Sequence, residues 1–235
     1  MRKTPLVTGE FYHVYNRGTD QRVIFGDDYD VRRFLKGMKE FDVIDPIGSI
    51  YENSFRLKLG SSASKLTASK LPESKLNRDT LNTNKLVDII AYCLNPNHYH
   101  LILKQISEKG IEKFMHRMGT GHTKYFNNKN KRSGVLFQGK FKAIHISSNE
   151  YLLHLSAYVN LNNVVHQLGS RASKLVRRSF EEYQSIKVVD AICEKEIVLD
   201  QFTSRKAYCK FAVSTVNDIS RRRREDKDYN LLLLE

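Results

Sequence analysis

The chain has 235 residues and carries 39 Lys and Arg against 26 Asp and Glu, a formal net charge of +13. Hydrophobic residues make up 40% of it, enough for the core of one sizeable domain with an appendage. No apolar run approaches the roughly 20 residues of a membrane span. Three scattered cysteines and a polar N-terminus predict neither a disulfide framework, nor a thiolate zinc site, nor a secretory signal.

The first half of the chain alternates strand and helix signals. Residues 10–17 are rich in aromatic and β-branched side chains and end at Gly18, which predicts a strand closed by a turn. Asp27 and Asp28 precede apolar residues at helical spacing through Phe41, and an acidic start is typical of a helix N-terminus. Residues 61–86 repeat Ser-Lys-Leu with a five-residue period, which fits neither a helix nor a strand and indicates a flexible insertion.

The second half continues the pattern, with turn residues at 95–97 between two strands. The predicted elements are a strand at 87–94, a strand at 98–105, a helix from 110 to about 131, a strand at 134–146, a helix at 149–163 capped by Asn149, and a helical appendage at 179–214. The order β-α-β-β-α-β-α predicts an α+β domain whose antiparallel sheet is covered by helices, with the ferredoxin-like split βαβ class as the natural candidate.

Two histidines separated by one residue form the first constellation that could carry chemistry. His98 and His100 on a strand point to the same face, where they could share a divalent ion, while Tyr99 points to the other face and can pack. Alone, this pattern is weak and favours two ordinary surface or hydrogen-bonded histidines over a metal site.

The predicted helix at 149–163 carries the second constellation. Tyr158 and Asn162 are four residues apart and would share a face, so that Tyr158 could act as a nucleophile and the amide oxygen of Asn162 could complete a metal site. His154, one turn earlier, could join that site or only pack beside it. The alternative is that Tyr158 is a core or boundary residue.

A basic and aromatic set follows the strands. Lys and Arg can neutralise phosphates while aromatic rings stack on exposed bases, a combination suited to single strands. The set contains Lys124, Tyr125, Phe126, Lys129, Lys131, Arg132, Phe137, Lys140, Phe141 and Lys142. In the alternative interpretation the rings face the core and the charges form a solvated surface.

In these residues the sequence resembles the single-tyrosine transposases of the HUH endonuclease superfamily, and most closely the REP-associated tyrosine transposases. Five blocks occur in the family's order: Tyr12-His13-Val14-Tyr15-Asn16-Arg17-Gly18, Ala91-Tyr92-Cys93-Leu94 leading to Pro96-Asn97-His98-Tyr99-His100-Leu101, Tyr125-Phe126-Asn127, residues 134–142, and residues 150–162.

The resemblance implies a metal-dependent enzyme. His98, His100 and Asn162 match the ligands of Mg²⁺ or Mn²⁺, and Tyr158 matches the nucleophile that forms a 5′-phosphotyrosine with single-stranded DNA. The implied partner is single-stranded DNA folded into a hairpin. The candidates for DNA contact are Arg17, Lys124, Arg132, Lys140, Lys142, Arg177 and Arg178, with the run at 221–224 a weaker candidate that could equally be a solvated tail.

Further expectations follow from this assignment. We expect an HUH domain at residues 1–168 that contains the insertion, and a basic linker, helical extension and polar tail at residues 169–235. We expect a cytoplasmic protein, associated with the prokaryotic nucleoid when bound to DNA, that is a monomer or homodimer and does not bind membranes. The alternatives are a non-catalytic hairpin-binding protein, domesticated or degenerate, and a basic structural protein of ribonucleoprotein complexes.

Overall fold

A five-stranded antiparallel sheet forms the centre of the computed structural model, which describes residues 5–48, 50, 85–165, 174–185, 188 and 190–225. Most of the Ser-Lys-Leu insertion lies outside these residues. The strands are β1 (Phe11–Arg17), β2 (Val87–Asn95), β3 (His98–Gln105), β4 (Lys142–His145) and β5 (Arg177–Arg178). The helices are α1 (Asp28–Glu40), α2 (Gly110–Lys129), α3 (Asn149–Asn160), α4 (Asn162–Val165), α5 (Phe180–Gln184), α6 (Glu196–Leu199) and α7 (Arg205–Glu225).

The strand order is β4-β1-β3-β2-β5. Because β1 and β2 each pair antiparallel with β3, they run parallel to one another and form a split βαβ unit with α1. In the same way, β3, α2 and β4 enclose β1. This topology confirms the predicted α+β, ferredoxin-like arrangement, to which β5 adds a short edge strand next to β2.

The helices divide the core between the two faces of the sheet. Along β3, the side chains of Tyr99, Leu101 and Leu103 belong to the same apolar cluster as the buried residues of α1 and α2. Ile102 belongs to a second cluster with buried residues of α3 and α7. Since side chains alternate along a strand, His98 and His100 share the face of Ile102, which is the face that α3 covers.

The predicted strand at residues 134–146 is shorter in the structure. Only Lys142–His145 pairs with β1, and Phe137 makes a single isolated bridge to Gly18. Gly134 and Gly139 have φ angles of +84° and +72°. Because these angles lie in the left-handed region, which glycine tolerates best, the segment turns where the apolar pattern predicted extension.

The predicted helix at residues 149–163 is interrupted and begins with a different cap. Ser148 is the N-cap, since its Oγ accepts a hydrogen bond from the backbone N–H of Tyr151 at 3.1 Å. The helix ends at Leu161, whose φ and ψ of −121° and 20° are not helical, and α4 begins at Asn162. Tyr158 and Asn162 therefore do not lie on one continuous helix.

The C-terminal residues pack against α3. The Oη of Tyr208 on α7 lies 3.1 Å from Ser156 Oγ and accepts a hydrogen bond from Asn160 Nδ2 at 2.7 Å. The basic run at 221–224 lies within α7 rather than in an unstructured tail.

None of the helices in the described ranges is both long and apolar enough to cross a membrane. The division at residue 168 stays a prediction, because it falls among residues outside these ranges.

Candidate active site

His98 and Asn162 meet where β3 approaches the start of α4. His98 Nε2 lies 3.3 Å from Asn162 Oδ1. The side-chain amide of Asn95 joins the two, with its Nδ2 2.9 Å from His98 Nε2 and 2.7 Å from Asn162 Oδ1. Asn95 and Asn162 are fully buried. Two of the three predicted metal ligands are therefore adjacent, although they are 64 residues apart in the chain.

The protonation of His98 is set by its neighbour in the turn. His98 Nδ1 lies 2.7 Å from Asn97 Oδ1. A carbonyl oxygen only accepts hydrogen bonds, so Nδ1 carries the proton and the lone pair of Nε2 faces Asn95 and Asn162. In the sequence, Asn95 and Asn97 are recognisable only as turn residues. Their contacts with the site were not visible in the sequence, because Asn is common in turns for backbone reasons.

His100 is paired with a third histidine, His13, which was not among the predicted site residues. His100 Nδ1 lies 2.9 Å from His13 Nε2, and the two ring planes are within 20° of each other. Tyr15 stacks on both rings, with centroid distances of 5.1 Å to His13 and 5.7 Å to His100. Burial lowers the pKa of His13 to about 4, so this imidazole is neutral at pH 7.

Tyr158 packs against the same group of rings. Its ring lies 5.8 Å from that of His100 and 6.4 Å from that of His13, nearly perpendicular to both. Tyr158 is only 5% exposed. His154 does not join the site, since its ring packs 5.1 Å from that of Phe211 on α7. The structure thus brings Tyr158 to His100, one of the two predicted histidine ligands, and to His13, and leaves His154 in a packing role.

The donor set fits a divalent ion of the kind that the resemblance implies. Around a six-coordinate ion with ligands at about 2.1 Å, neighbouring donor atoms lie about 3 Å apart, close to the 3.3 Å between His98 Nε2 and Asn162 Oδ1. The amide of Asn162 is also unusual, since its buried Nδ2 has no hydrogen-bond partner among the described residues. In the same ranges no three His, Cys, Asp or Glu residues cluster around a metal position. A site here therefore depends on the amide oxygen.

The four arginines predicted to contact DNA have partners within the chain. Each makes a side-chain hydrogen bond or ion pair: Arg17 with Gln138, Arg132 with Asn127 and the carbonyl of Val135, Arg177 with Asp28, and Arg178 with Asn163 and Glu181. Lys129 is similarly occupied, with its Nζ 2.6 Å from Asp27 and 2.5 Å from Asp30. Contact between these cations and DNA would compete with interactions that hold the fold.

Three predicted lysines line a groove between α2 and the segment that leads into β4. The groove has a volume of about 1390 Å³ and contains one carboxylate, that of Glu112, among its lining residues. Its lining residues include the cations Lys109, Lys113, Lys124, Lys140 and Lys142 and the apolar residues Val135, Phe137 and Phe141. Lys142 Nζ lies 5.7 Å from the ring centroid of Tyr15, so the groove reaches the face of the sheet that carries His100.

Residues 74–162 match the family model described as "Transposase IS200 like". This part of the chain is similar to IS200-like transposases, and the matched range contains His98, His100, Tyr158 and Asn162. No curated protein matches the chain.

The chain is similar to a solved structure of a REP-associated tyrosine transposase bound to a REP hairpin, with 12% identity, a TM-score of 0.49, and coverage of 83% of this chain and 92% of that one. It is also similar to the tRNA(His) guanylyltransferase of Saccharomyces cerevisiae, with 9% identity, a TM-score of 0.34, and coverage of 91% and 80%.

Proposed function

We propose that the protein is a transposase or nickase of the REP-associated tyrosine type, which cleaves and rejoins single-stranded hairpin DNA through a 5′-phosphotyrosine at Tyr158. The observation that carries the proposal is the convergence of four side chains from distant parts of the chain. His98 Nε2 lies 3.3 Å from Asn162 Oδ1, and the ring of Tyr158 lies 5.8 Å from that of His100.

The roles of these residues follow from their chemistry. His98, His100 and Asn162 would hold Mg²⁺ or Mn²⁺, since Mn²⁺ accepts imidazole nitrogen and both ions prefer oxygen donors. Bound there, the ion would polarise the scissile phosphate and stabilise the charge that develops on it. Asn97 accepts the hydrogen bond from His98 Nδ1, so the proton of the ring is on Nδ1. The lone pair of Nε2 is therefore free of that proton and points toward Asn162, as coordination requires.

The covalent step exchanges one phosphodiester for another. Tyr158 Oη loses its proton and attacks the phosphorus, a tyrosyl phosphodiester forms, and the bond from phosphorus to the 3′ oxygen breaks. The departing oxygen takes up a proton and becomes a 3′-OH, which can later reverse the reaction and rejoin a strand. An ordinary phenol ionises near pH 10, so positive charge near the site, including the ammonium of Lys142, assists the proton's departure.

The groove beside α2 is the surface that we assign to the DNA strand. Its lysines can neutralise phosphates, and its exposed Val135 and partly exposed Phe141 offer apolar contact to bases. Because Lys142 contacts both the groove and Tyr15, a strand lying in the groove passes from the edge of the sheet toward the Tyr158 site. Lys124, Lys140 and Lys142 are therefore stronger candidates for DNA contact than the four internally bonded arginines.

The test is formation of a covalent adduct. Wild-type protein, Tyr158→Phe and Tyr151→Phe would be incubated with labelled single-stranded hairpins from the flanks of the gene, with Mn²⁺ or with EDTA. Tyr151 is the matched control, since it lies on the same helix and is 38% exposed. We expect a denaturation-resistant protein–DNA species for wild type and Tyr151→Phe with Mn²⁺, and none for Tyr158→Phe or with EDTA.

Two results would contradict the proposal. An adduct that persists in Tyr158→Phe would move the nucleophile to another residue. Tight hairpin binding without any adduct, across several flank sequences, would instead favour the non-catalytic binding protein.

A further inference from the structure

We propose that His13 is a positioning residue that holds His100 in the tautomer and orientation needed to bind a divalent ion through Nε2. This inference rests on the proposed function, because it assigns His100 as a metal ligand. It adds a residue of β1 that lies outside the matched range of the family model.

The contact between the two rings is specific in geometry. His13 Nε2 and His100 Nδ1 are 2.9 Å apart, the ring planes are within 20° of each other, and each residue is 5% exposed. In the register of β1 and β3, His100 lies opposite Tyr15, whereas His13 lies opposite Ile102. His13 therefore reaches His100 along the diagonal of an antiparallel pair, a distance that long and aromatic side chains can span.

The hydrogen bond constrains which nitrogen of His100 can bind a metal. Two neutral imidazoles share one proton across this contact. If His13 donates that proton, the other nitrogen of His100, Nε2, carries the ring's own proton and cannot coordinate. If His100 donates from Nδ1, its Nε2 presents a lone pair. Metal binding through Nε2 therefore requires His13 to be the acceptor.

His98 has an equivalent arrangement with a different partner. Its Nδ1 lies 2.7 Å from the carbonyl oxygen of Asn97, an acceptor that leaves no ambiguity about the proton. Both predicted ligands are thus held at Nδ1 by a neutral group. A neutral partner orients the ring without adding negative charge, which would repel the phosphate that the site must receive. Tyr15, stacked on both His13 and His100, keeps their rings from rotating apart.

The tautomer can be measured in the wild-type protein without any substitution. Nitrogen-15 NMR of histidine side chains, in metal-free protein at pH 7.5 (about one unit above the ordinary histidine pKa), distinguishes a proton on Nδ1 from one on Nε2. We expect His100 to carry its proton on Nδ1. A proton on Nε2 of His100 would overturn the inference.

The consequence for metal binding is tested by titration with Mn²⁺ alone, followed by electron paramagnetic resonance of the unbound ion. His13→Phe keeps the ring but loses the acceptor, and we expect its Mn²⁺ affinity to fall by about 10- to 100-fold. His13→Gln restores an acceptor oxygen and should recover most of the affinity. His116→Phe is the matched control, since it makes the same change at an exposed histidine of α2 and should bind Mn²⁺ as wild type does.

The outcomes separate this inference from the proposed function. Unchanged Mn²⁺ affinity in His13→Phe, in a protein whose wild type binds Mn²⁺ and forms the Tyr158 adduct, would overturn the role of His13 alone. Weak binding by His13→Gln and His13→Phe alike, with melting temperatures near wild type, would show that an acceptor is not what the site needs. Failure of wild-type protein to bind Mn²⁺ would overturn the metal site itself.

Discussion

The two faces of the sheet differ in what they bury. The face covered by α1 and α2 packs a large apolar cluster and also buries Asp30 and His122. Two lysines of the groove, Lys113 and Lys124, are on α2. The face covered by α3 and α7 contains a set of buried polar side chains: His13, His100, Ser156, Asn160, Asn162 and Ser179. Burial of polar groups is costly unless they are bonded. The second face therefore combines apolar packing with a network of buried hydrogen bonds.

The hydrogen bonds of the second face connect the candidate nucleophile to the C-terminal residues. Asn160, two positions after Tyr158, donates to Tyr208 Oη at 2.7 Å and accepts from Ser179 Oγ at 2.6 Å. Ser179 Oγ in turn accepts from the backbone N–H of Tyr92 on β2 at 2.8 Å. The end of α3 is thus fixed to the sheet and to α7 through one buried amide.

Removing the side-chain amide of Asn160 should lower the stability more than any other substitution proposed below. Asn160→Ala leaves the buried hydroxyls of Tyr208 and Ser179 each with one bond fewer and creates a small cavity. We expect the free energy of unfolding to fall by about 2–4 kcal/mol, measured by urea denaturation. Asn128→Ala, at an exposed position of α2, is the control and should change it by less than about 0.5 kcal/mol. Similar small losses in both variants would mean that the network is not a stabilising feature.

The first face has one buried histidine whose titration should be visible in stability. His122 Nε2 lies 2.8 Å from the carbonyl of Ile24, and burial lowers its pKa to about 4. Between pH 6.5 and 4 the unfolded chain binds a proton that the folded chain does not, so unfolding becomes easier as pH falls. From this one residue, the free energy of unfolding falls by up to about 1.4 kcal/mol for each pH unit. His122→Gln should reduce the measured slope by up to that amount in urea denaturation at pH 7, 6 and 5, and an unchanged slope would contradict this assignment.

Removing positive charge from the groove should weaken DNA binding without changing the core. Lys124→Ala and Lys140→Ala each remove one cation from the groove. If each lysine contacts a phosphate, the slope of log affinity for a hairpin against log salt should fall by about 1 per substitution. Lys206→Ala, an exposed lysine of α7, should leave the slope unchanged. Equal effects of all three substitutions would indicate a general effect of net charge rather than a defined groove.

The smallest change in stability is expected on replacing either of two glycines of α2 by alanine. A Cβ at Gly119 would meet no atom within 4 Å, whereas a Cβ at Gly121 would lie 3.1 Å from Phe41 Cε2. Gly119→Ala should therefore stabilise the protein by about 0.5–1 kcal/mol, through helix propensity alone. Gly121→Ala should gain less or destabilise, because its methyl group presses on Phe41. A melting-temperature comparison of the two variants tests this, and a destabilised Gly119→Ala would mean that α2 needs flexibility at that position.

The elements that could be predicted from the sequence are those whose side-chain period is strong and local. The strands β1, β2 and β3 and the helices α1 and α2 lie close to their predicted positions, and the strand period alone placed His98 and His100 on one face. The apolar pattern failed at residues 134–141, where two glycines with positive φ turn the chain, and at Leu161, which ends α3 before Asn162. Apolar spacing reports which residues are buried, but not whether the backbone stays regular between them.

The partners of the site residues, in contrast, depend on how distant segments come together in the fold. His13 and His100 are 87 residues apart in the chain, and Asn95 and Asn162 are 67 apart. The sequence contains no signal for such pairs, because the contacts depend on the register of β1 against β3 and on where α4 begins. The same holds for the arginines, whose charge suggested DNA contact and whose bonds within the fold became visible only in three dimensions. Local periodicity follows from the geometry of one segment, whereas a hydrogen bond between distant segments requires the whole chain to fold.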